Sequence, residues 1–454
     1  MCTGSLMPKL ISFIAPLMLS NFLQLLFNAV DLVVVGHFAS DCSNALAAVG
    51  ATSSLINLFV NLFVGISLGA NVCVAMYYAQ DNTEKMSKVV HTSITTALIT
   101  GITMMIVGII FCRTALTMTG TPSNVINSSV LYMRIYFIGT PFVMLYNFGA
   151  AILRAVGDTK RPMAFLIASG IINAVLNMIL VIFFHLDVAG VAIATVISQI
   201  ISCILVLSVL FKSPEGYRLY VSKLKIDFKI MGKIFAIGLP AGLQSAVISF
   251  SNVLLQSSVN TFGQFAMAGY TAANNIFGFM YSCVNSISQG CMSFTSQNFG
   301  AGKTDRMRKV LKNCILLETV VCLIMGCIAY FFSNTILGIY SSDKTVLDYG
   351  TQVLEYTAIT YFICGYMDCI PGALRGMGRS SVPMILSIVG TVGVRILWIY
   401  CIFPMQRSIR FLFLSYPVSW IATCVMQFIC YVIIRNKLEK KINNQTKYND
   451  LPSA

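Results

Sequence analysis

Four polar side chains follow one face of the first apolar segment of the chain. Asn21, Gln24, Asn28 and Asp31 succeed one another at spacings of three, four and three residues, which aligns them along a helix. Asp31 is the only carboxylate of the first half that falls well inside an apolar segment. Because a carboxylate is costly there, it indicates either a cation or proton site or a polar stripe that joins helices.

Two later segments carry side chains that could complete such a site. Asn173 and Asn177 lie one turn apart on one predicted helix, and Thr195 lies on the next. Amide and hydroxyl oxygens can coordinate Na⁺ or hydrogen-bond a protonated carboxyl group, although asparagine in a membrane helix also commonly joins helices. With Asp31 as the possible Na⁺ ligand, the predicted ion or proton site comprises Asp31, Asn173, Asn177 and Thr195.

The second half carries a different set of polar residues in its apolar segments. We predict that this set lines a cavity or a polar stripe together with two residues of the first segment. The predicted stripe comprises Gln24, Asn28, Asn252, Gln256, Asn285, Gln289, Asp368 and Arg395. An arginine inside a membrane needs a counter-charge, so Arg395 is expected to pair with Asp368 or Glu355, in a structural or a functional role.

The composition indicates that lipid is the solvent of most of the chain. Hydrophobic residues make up 57% of it and charged residues only 10%, against about 25% charged residues in soluble domains. A membrane helix needs about 20 apolar residues. The twelve predicted segments are about 10–36, 46–78, 90–112, 130–153, 162–184, 188–211, 233–260, 267–298, 310–338, 350–374, 382–404 and 410–434.

The placement of the basic residues predicts the orientation. Lysine and arginine concentrate in alternate loops and at both ends of the chain, so both termini are expected on the cytoplasmic side of a prokaryotic cell membrane. This pattern accounts for the net charge of +14 without a nucleic-acid partner.

A block of the first half recurs 221 residues later. Residues 153–157 read Leu-Arg-Ala-Val-Gly and residues 374–378 read Leu-Arg-Gly-Met-Gly, while Pro162 and Pro383 keep the same offset. Six segments per copy predict two lobes that enter the membrane from the same side, related by a pseudo-two-fold axis along the membrane normal, with a cavity between them. We therefore predict an all-α membrane protein with 12 transmembrane helices. Its predicted parts are a first lobe at 1–211, a cytoplasmic linker at 212–232, a second lobe at 233–434 and a cytoplasmic tail at 435–454.

Motifs of catalysis are missing from the sequence. It contains no phosphate-binding loop, nucleophile–base pair or spaced metal-ligand set, so we expect neither an enzyme nor an ATP-driven pump, and no cofactor beyond a coupling ion. The 15 cysteines form no C-x-x-C pair, and many lie in apolar segments as small apolar residues, so no disulfide framework is expected.

Several motifs resemble those of the multidrug and toxic compound extrusion (MATE) family. They are Ala15-Pro16, the stretch 30–37 that reads Val-Asp-Leu-Val-Val-Val-Gly-His, the two Leu-Arg blocks, and Gly300-Ala301-Gly302 before a basic loop. The resemblance covers about residues 8–435. It implies an efflux antiporter with two six-helix lobes that is coupled to H⁺ or Na⁺ and often exports organic cations.

The resemblance also implies roles for single residues. Asp31 matches the first-helix carboxylate implicated in coupling, and Asn173 and Thr195 match polar residues near it. Asn177 departs from the pattern, since many relatives have aspartate there. Ile248 occupies about the place of an acidic residue found in one branch of the family.

The expected function is therefore a secondary active multidrug or organic-cation antiporter with small, cationic, amphipathic substrates. We expect a monomer in contact with membrane lipids. The alternative is a flippase for lipid-linked polysaccharide or peptidoglycan precursors from the same broad fold group. Such flippases often have a strongly cationic cavity, whereas Arg395 is the main basic residue inside a predicted segment here.

Overall fold

The apolar segments fold into long helices. The computed structural model describes residues 1–39, 42–214 and 216–449, and within these ranges it contains helices and no strand. The α-helices are α1 (Leu6–Phe38), α2 (Cys42–Ala79), α3 (Thr83–Met118), α4 (Ile126–Ile138), α5 (Thr140–Val156), α6 (Lys160–Met178), α7 (Asp187–Lys212), α8 (Phe228–Asn260), α9 (Gln264–Gly300), α10 (Thr304–Phe331), α11 (Ser333–Leu337), α12 (Lys344–Thr357), α13 (Tyr361–Gly376), α14 (Ser381–Ser387), α15 (Val394–Leu397), α16 (Ile409–Phe413) and α17 (Ser415–Asn449).

The all-α membrane architecture is confirmed, and the count of twelve spans stays a prediction. By length and composition, nine helical stretches of the described ranges could cross a membrane, or ten if α4 and α5 form one span bent by 46°. The predicted segments 267–298 and 350–374 do not pass this test. The first of these is α9, which carries many buried polar side chains. A helix packed inside protein needs fewer apolar residues than one that faces lipid.

Breaks in the helices have identifiable causes. Between α4 and α5, Pro141 lacks a backbone N–H, and the hydroxyl of Thr140 donates to the carbonyl of Phe137 at 2.7 Å. π-Helical turns continue α6 at Ile179–Phe183 and flank α15 at Ile388–Gly393 and Trp398–Ile402. Such turns often accompany functional sites, and α15 carries Arg395.

The chain divides into two compact units. One unit comprises Ala15–Gly242, and the other comprises Met1–Ile14 together with the chain from Leu243 onward. The division falls within α1 and within α8, whereas the sequence predicts lobes at 1–211 and 233–434. These lobe boundaries stay a prediction.

Within the unit Ala15–Gly242, glycines bring α2 and α8 into backbone contact. A Cβ on Gly65 would lie 2.5 Å from Cα of Gly242, and a Cβ on Gly238 would lie 2.4 Å from Cα of Ile66. Gly69 is as tight, since its Cβ would lie 2.1 Å from the carbonyl oxygen of Ile234. These contacts agree with the close packing that small residues four apart favour in membrane helices.

The segment 213–227 joins α7 to α8 and is anchored to α3. The backbone N–H of Tyr220 donates to Nε2 of His91 at 3.0 Å, and the two rings stack with centroids 6.3 Å apart. Nδ1 of His91 bonds the carbonyl of Ser87 at 2.6 Å, which requires the proton on Nδ1. The carboxylate of Asp227 caps α8 by accepting from the N–H groups of Lys229 and Ile230.

The core of the unit from Leu243 onward contains a cluster of aromatic rings. Tyr416 stacks on Phe413 with centroids 5.7 Å apart and meets Trp420 edge-on at 5.3 Å. Tyr270 reaches Tyr416 through their hydroxyls at 3.4 Å, and Tyr361 packs edge-on against Trp420. Tyrosine and tryptophan pair an apolar body with a polar group, so this core can also hold polar side chains.

Candidate functional site

Asp31 on α1 receives hydrogen bonds from two amides of α6. Nδ2 of Asn177 donates to Oδ1 of Asp31. In the amide orientation that satisfies both ends of Asn173, its nitrogen donates to the same oxygen at 2.9 Å, and its oxygen accepts the backbone N–H of Thr195 at 3.3 Å. The structure therefore joins α1, α6 and α7 through one polar cluster, the Asp31 group, which consists of Asp31, Asn173, Asn177 and Thr195.

A close contact between α1 and α6 sets this geometry. A Cβ on Gly170 would lie 1.9 Å from Cε2 of Phe27, so only glycine admits the ring at this point. Phe27 lies one turn before Asp31 on α1, and Gly170 lies one turn before Asn173 on α6. The contact that brings the helices together therefore also aligns the carboxylate with the amides.

The Asp31 group is buried, and its charge is uncompensated. Asn177 is fully buried and Asn173 is 6% exposed, while Asp31 is partly buried. No lysine or arginine within the described ranges forms an ion pair with Asp31. Oδ1 of Asn177 is buried without a hydrogen-bond partner. An unpaired acceptor of this kind costs about 1–3 kcal/mol, so it is available to a ligand.

The donor set fits a small hard cation or a proton. The carboxylate of Asp31, the unpaired oxygen of Asn177 and the hydroxyl of Thr195 are oxygen ligands of the type that hard cations prefer. Protonation of Asp31 would equally remove its negative charge and leave it as a hydrogen-bond donor. The chemistry of the group thus supports reversible uptake of one positive charge.

Two tyrosines that the sequence analysis missed lie near this group. Tyr132 and Tyr136 on α4 lie within electrostatic range of Asp31, and Tyr132 is buried. A Tyr-x-x-x-Tyr pair inside an apolar segment places both hydroxyls on one helix face. That spacing was a signal in the sequence, but nothing in it identifies the helix that this face meets.

Two members of the predicted stripe lie on α1 without joining the Asp31 group. Gln24 and Asn28 are exposed. In the part of the chain that the structure describes, no hydrogen bond connects either side chain to Asp31, Asn173 or Asn177. Their assignment to a substrate cavity stays a prediction.

Arg395 is buried among neutral partners. Arg395 is only 3% exposed. Its Nη1 donates to Oδ1 of Asn252 at 2.8 Å and to the hydroxyl of Ser251 at 3.3 Å. Nε donates to the hydroxyl of Ser419 at 3.3 Å, and the guanidinium lies 4.3 Å from the ring centroid of Tyr416. The predicted stripe residues Asn252 and Arg395 are therefore in direct contact.

The expected pairing of Arg395 with Asp368 or Glu355 is wrong. Glu355 pairs instead with Arg410 at 3.6 Å. Asp368 lies beside Tyr281, and the positive charge that acts on it is that of Arg375. Hydroxyl and amide oxygens together with an aromatic face replace the carboxylate, because a guanidinium is weakly hydrated and stacks on rings.

The remaining stripe residues bond within their own helices. Gln256 donates to Oδ1 of Asn260 at 2.9 Å on α8, and Gln289 donates to Oδ1 of Asn285 at 2.5 Å on α9. Both pairs are spaced by four residues, which satisfies part of each amide locally. Tyr281 interacts with both Asn285 and Asp368, whereas no hydrogen bond in the described ranges joins Gln256 or Gln289 to Arg395.

Long apolar helices that hold an ionisable group between them define a multi-pass membrane protein with a buried polar site. The MatE family model matches residues 16–179 and 240–401, which together make up more than half of the chain, one stretch on each copy of the repeat. The chain therefore belongs to the MatE family, as its sequence motifs predict. As a member of a transporter family it is not an enzyme.

Known relatives and solved structures resemble the chain over nearly its full length. It is 28% identical over 433 residues to "Probable multidrug resistance protein YoeA" of Bacillus subtilis (strain 168), covering 94% of this chain and 93% of that protein. It is 24% identical to "Multidrug export protein MepA" of Staphylococcus haemolyticus (strain JCSC1435), covering 96% and 95%. The structure titled "Crystal structure of MATE in the bent conformation" matches with a TM-score of 0.88 at 19% identity over 96% of both chains, which shows the shared fold.

Proposed function

We propose that the protein is a secondary antiporter that exports small amphipathic compounds, chiefly organic cations, and is driven by a gradient of H⁺ or Na⁺. The observation that carries the proposal is the carboxylate of Asp31, held inside a helix pair by two amides and facing no lysine or arginine in the described ranges. The printed names of the relatives, a multidrug resistance protein and a multidrug export protein, support the choice of cargo.

The coupling step follows from the cost of an unpaired charge in a membrane. With Asp31 ionised, the amides of Asn173 and Asn177 donate hydrogen bonds to a carboxylate that no lysine or arginine of the described ranges neutralises. Uptake of H⁺ or Na⁺ cancels that charge and changes the relative free energies of the conformations open to either side of the membrane. Export of a substrate in one conformation and uptake of the ion in the other then form one cycle.

A flippase for lipid-linked precursors remains the second candidate, and it has less support. A pyrophosphate cargo calls for several basic side chains around one cavity. Arg395 is occupied by neutral partners and an aromatic ring, and it is not accompanied by a second arginine or lysine in the hydrogen bonds described. The relatives named above carry the names of a multidrug resistance protein and a multidrug export protein, and neither name refers to a lipid.

Everted membrane vesicles test the proposal directly. A fluorescent organic cation is offered while either a pH gradient or a Na⁺ gradient is imposed alone, so that the gradient that drives uptake identifies the coupling ion. Asp31→Asn keeps the shape and hydrogen-bonding capacity of the side chain but removes its charge. We expect the variant to insert normally and to lose gradient-driven transport down to the level of vesicles without the protein.

Asp348→Asn is the matched control. Asp348 lies on the exposed face of α12, where it accepts a hydrogen bond from Gln352 at 3.0 Å that an asparagine oxygen can also accept. Transport by this variant should equal that of the wild type. Wild-type transport rates in Asp31→Asn, at equal amounts of inserted protein, would contradict the assignment of Asp31.

A further inference from the structure

Three cysteine side chains from separate helices meet inside the unit from Leu243 onward. Cys291 lies on α9, Cys314 on α10 and Cys369 on α13, and all three are buried. Their sulfur atoms all lie within 4.8 Å of one another. The cluster results from tertiary packing, because the three residues are far apart in the sequence. It is separate from the Asp31 group, which belongs to the other compact unit.

The spacing of the sulfurs suits one soft central atom. Bonds of about 2.3 Å, the length of a Zn–S bond, hold three sulfurs about 4 Å apart around a planar centre and about 3.4 Å apart around a pyramidal one. The observed separations lie within 4.8 Å, so rotation of the thiols about their Cα–Cβ bonds can close the remainder. Thiolate ligands favour soft centres over the hard cations that suit the oxygen atoms around Asp31.

The charge of the surroundings restricts which centre can bind. The ionisable side chain next to Cys314 is Glu318, one turn along α10, which is fully buried with Oε2 unpaired. No lysine or arginine within the described ranges is close enough to any of the three thiols to stabilise a negative charge there. A divalent ion bound by three thiolates would leave one negative charge, and a monovalent ion would leave two. Uncompensated charge in such a site is very costly.

A trivalent centre bound by three thiolates is neutral. We propose that Cys291, Cys314 and Cys369 form a binding site for trivalent arsenic, taken up as neutral arsenous acid. Three As–O bonds and three S–H bonds break, three As–S bonds form, and each released hydroxyl takes a thiol proton, so that three O–H bonds form and three water molecules leave. The oxidation states do not change, so the reaction needs no oxidant or reductant. Neither the reactant nor the bound state places a net charge in the apolar interior.

The comparison of two arsenicals tests the requirement for three thiols. Arsenous acid needs all three sulfurs for its stable adduct, whereas phenylarsine oxide, with one As–C bond, uses only two. The purified full-length protein is reduced with a phosphine, incubated overnight with either compound, freed of excess reagent by gel filtration and analysed for arsenic by mass spectrometry. We expect one tightly bound arsenic per wild-type chain from arsenous acid.

Single substitutions separate this site from the other cysteines. Cys291→Ser, Cys314→Ser and Cys369→Ser should each bind arsenous acid at least tenfold more weakly while still binding phenylarsine oxide through the two remaining thiols. Cys203→Ser removes a buried cysteine on α7, in the other compact unit, and should bind both compounds like the wild type. Equal retention of arsenous acid by the three variants and the wild type, or no retention by the wild type, would overturn the proposal.

X-ray absorption at the arsenic edge provides a measurement that does not depend on variants that fold. The wild-type protein loaded with arsenous acid should show three sulfur neighbours and no oxygen around arsenic. One or two sulfurs with remaining oxygen would exclude the three-thiol site. Binding of Zn²⁺ in the same stoichiometry, with no binding of arsenous acid, would show that the charge argument is wrong.

Discussion

The side-chain amide of Asn177 donates to the carboxylate of Asp31 across 146 residues of sequence. This bond and the matching one from Asn173 connect α6 to α1, and the oxygen of the same Asn177 amide is left without a donor. Asn177 therefore contributes a donor to the ionised state of Asp31 and an acceptor that a proton or cation on Asp31 could use. Both contributions place it directly on the proposed coupling step.

Replacement of Asn177 by alanine should impair coupling without preventing insertion. A hydrogen bond to a charged group is worth about 1.5–3 kcal/mol, so we expect gradient-driven export to fall about 10- to 100-fold. Asn147→Ala is the matched control, because Nδ2 of Asn147 bonds the carbonyl of Val143 one turn earlier on its own helix and no other group among the described residues. Export is measured in everted vesicles that contain equal amounts of each protein. Equal loss in both variants would show that Asn177 acts through helix packing alone.

Gly238 should be needed for the contact between α2 and α8. In Gly238→Ala the new Cβ would lie 2.4 Å from Cα and 2.7 Å from the carbonyl oxygen of Ile66, so the helices must move apart. Overpacking of this kind costs about 1–3 kcal/mol, which should lower the melting temperature of the detergent-solubilised protein. Gel filtration after heating, with detection of protein fluorescence, measures that temperature.

Gly232→Ala on the same helix is the control for Gly238→Ala. Apart from the adjacent backbone of α8, no heavy atom of the described residues lies within 4 Å of the position that its Cβ would occupy. Alanine stabilises a helix interior by about 0.5–1 kcal/mol over glycine, so this variant should melt at the wild-type temperature or slightly higher. A melting temperature of Gly238→Ala equal to that of Gly232→Ala would contradict the close contact.

The residues of the Asp31 group could be predicted from the sequence, but their partners could not. Asp31, Asn173, Asn177 and Thr195 stand out because polar groups in an apolar segment are costly and therefore rare. Spacing along the chain gives the face of a helix but not the helix that this face meets. The contact between Phe27 and Gly170 that aligns α1 with α6 has no local signature.

The partners of Arg395 could not be predicted from the sequence for a different reason. The prediction considered carboxylates as its partners, since a counter-charge is the simplest compensation for a buried arginine. In the structure, Asn252, two serine hydroxyls and the ring of Tyr416 surround the guanidinium instead. Neutral hydrogen-bond acceptors and an aromatic face are too common in the sequence to be recognised as partners in advance.

The uncompensated charge of Arg395 should influence the choice of substrate. Asn252, which accepts its hydrogen bond, is exposed, so the positive charge lies directly behind an accessible polar surface. Two unit charges about 7 Å apart interact by about 2 kcal/mol at an effective dielectric constant of about 20. Arg395→Gln keeps hydrogen-bonding capacity and removes the charge. Since about 2 kcal/mol corresponds to about 30-fold, it should raise the export of a permanent organic cation relative to that of an anionic dye by at least about 30-fold.

Arg410→Gln is the control that separates the effect of the Arg395 charge from a general effect of replacing an arginine by glutamine. Arg410 is paired with Glu355 at 3.6 Å and its side chain is 55% exposed, so solvent and the carboxylate already reduce its field. The ratio of export rates for the two dyes should stay at the wild-type value in this variant. Both ratios are measured in everted vesicles under the same imposed gradient. An unchanged ratio in Arg395→Gln would mean that the charge of Arg395 does not act on the substrate. The guanidinium would then serve only to join α15 to α8, through Ser251 and Asn252, and to α17, through Ser419.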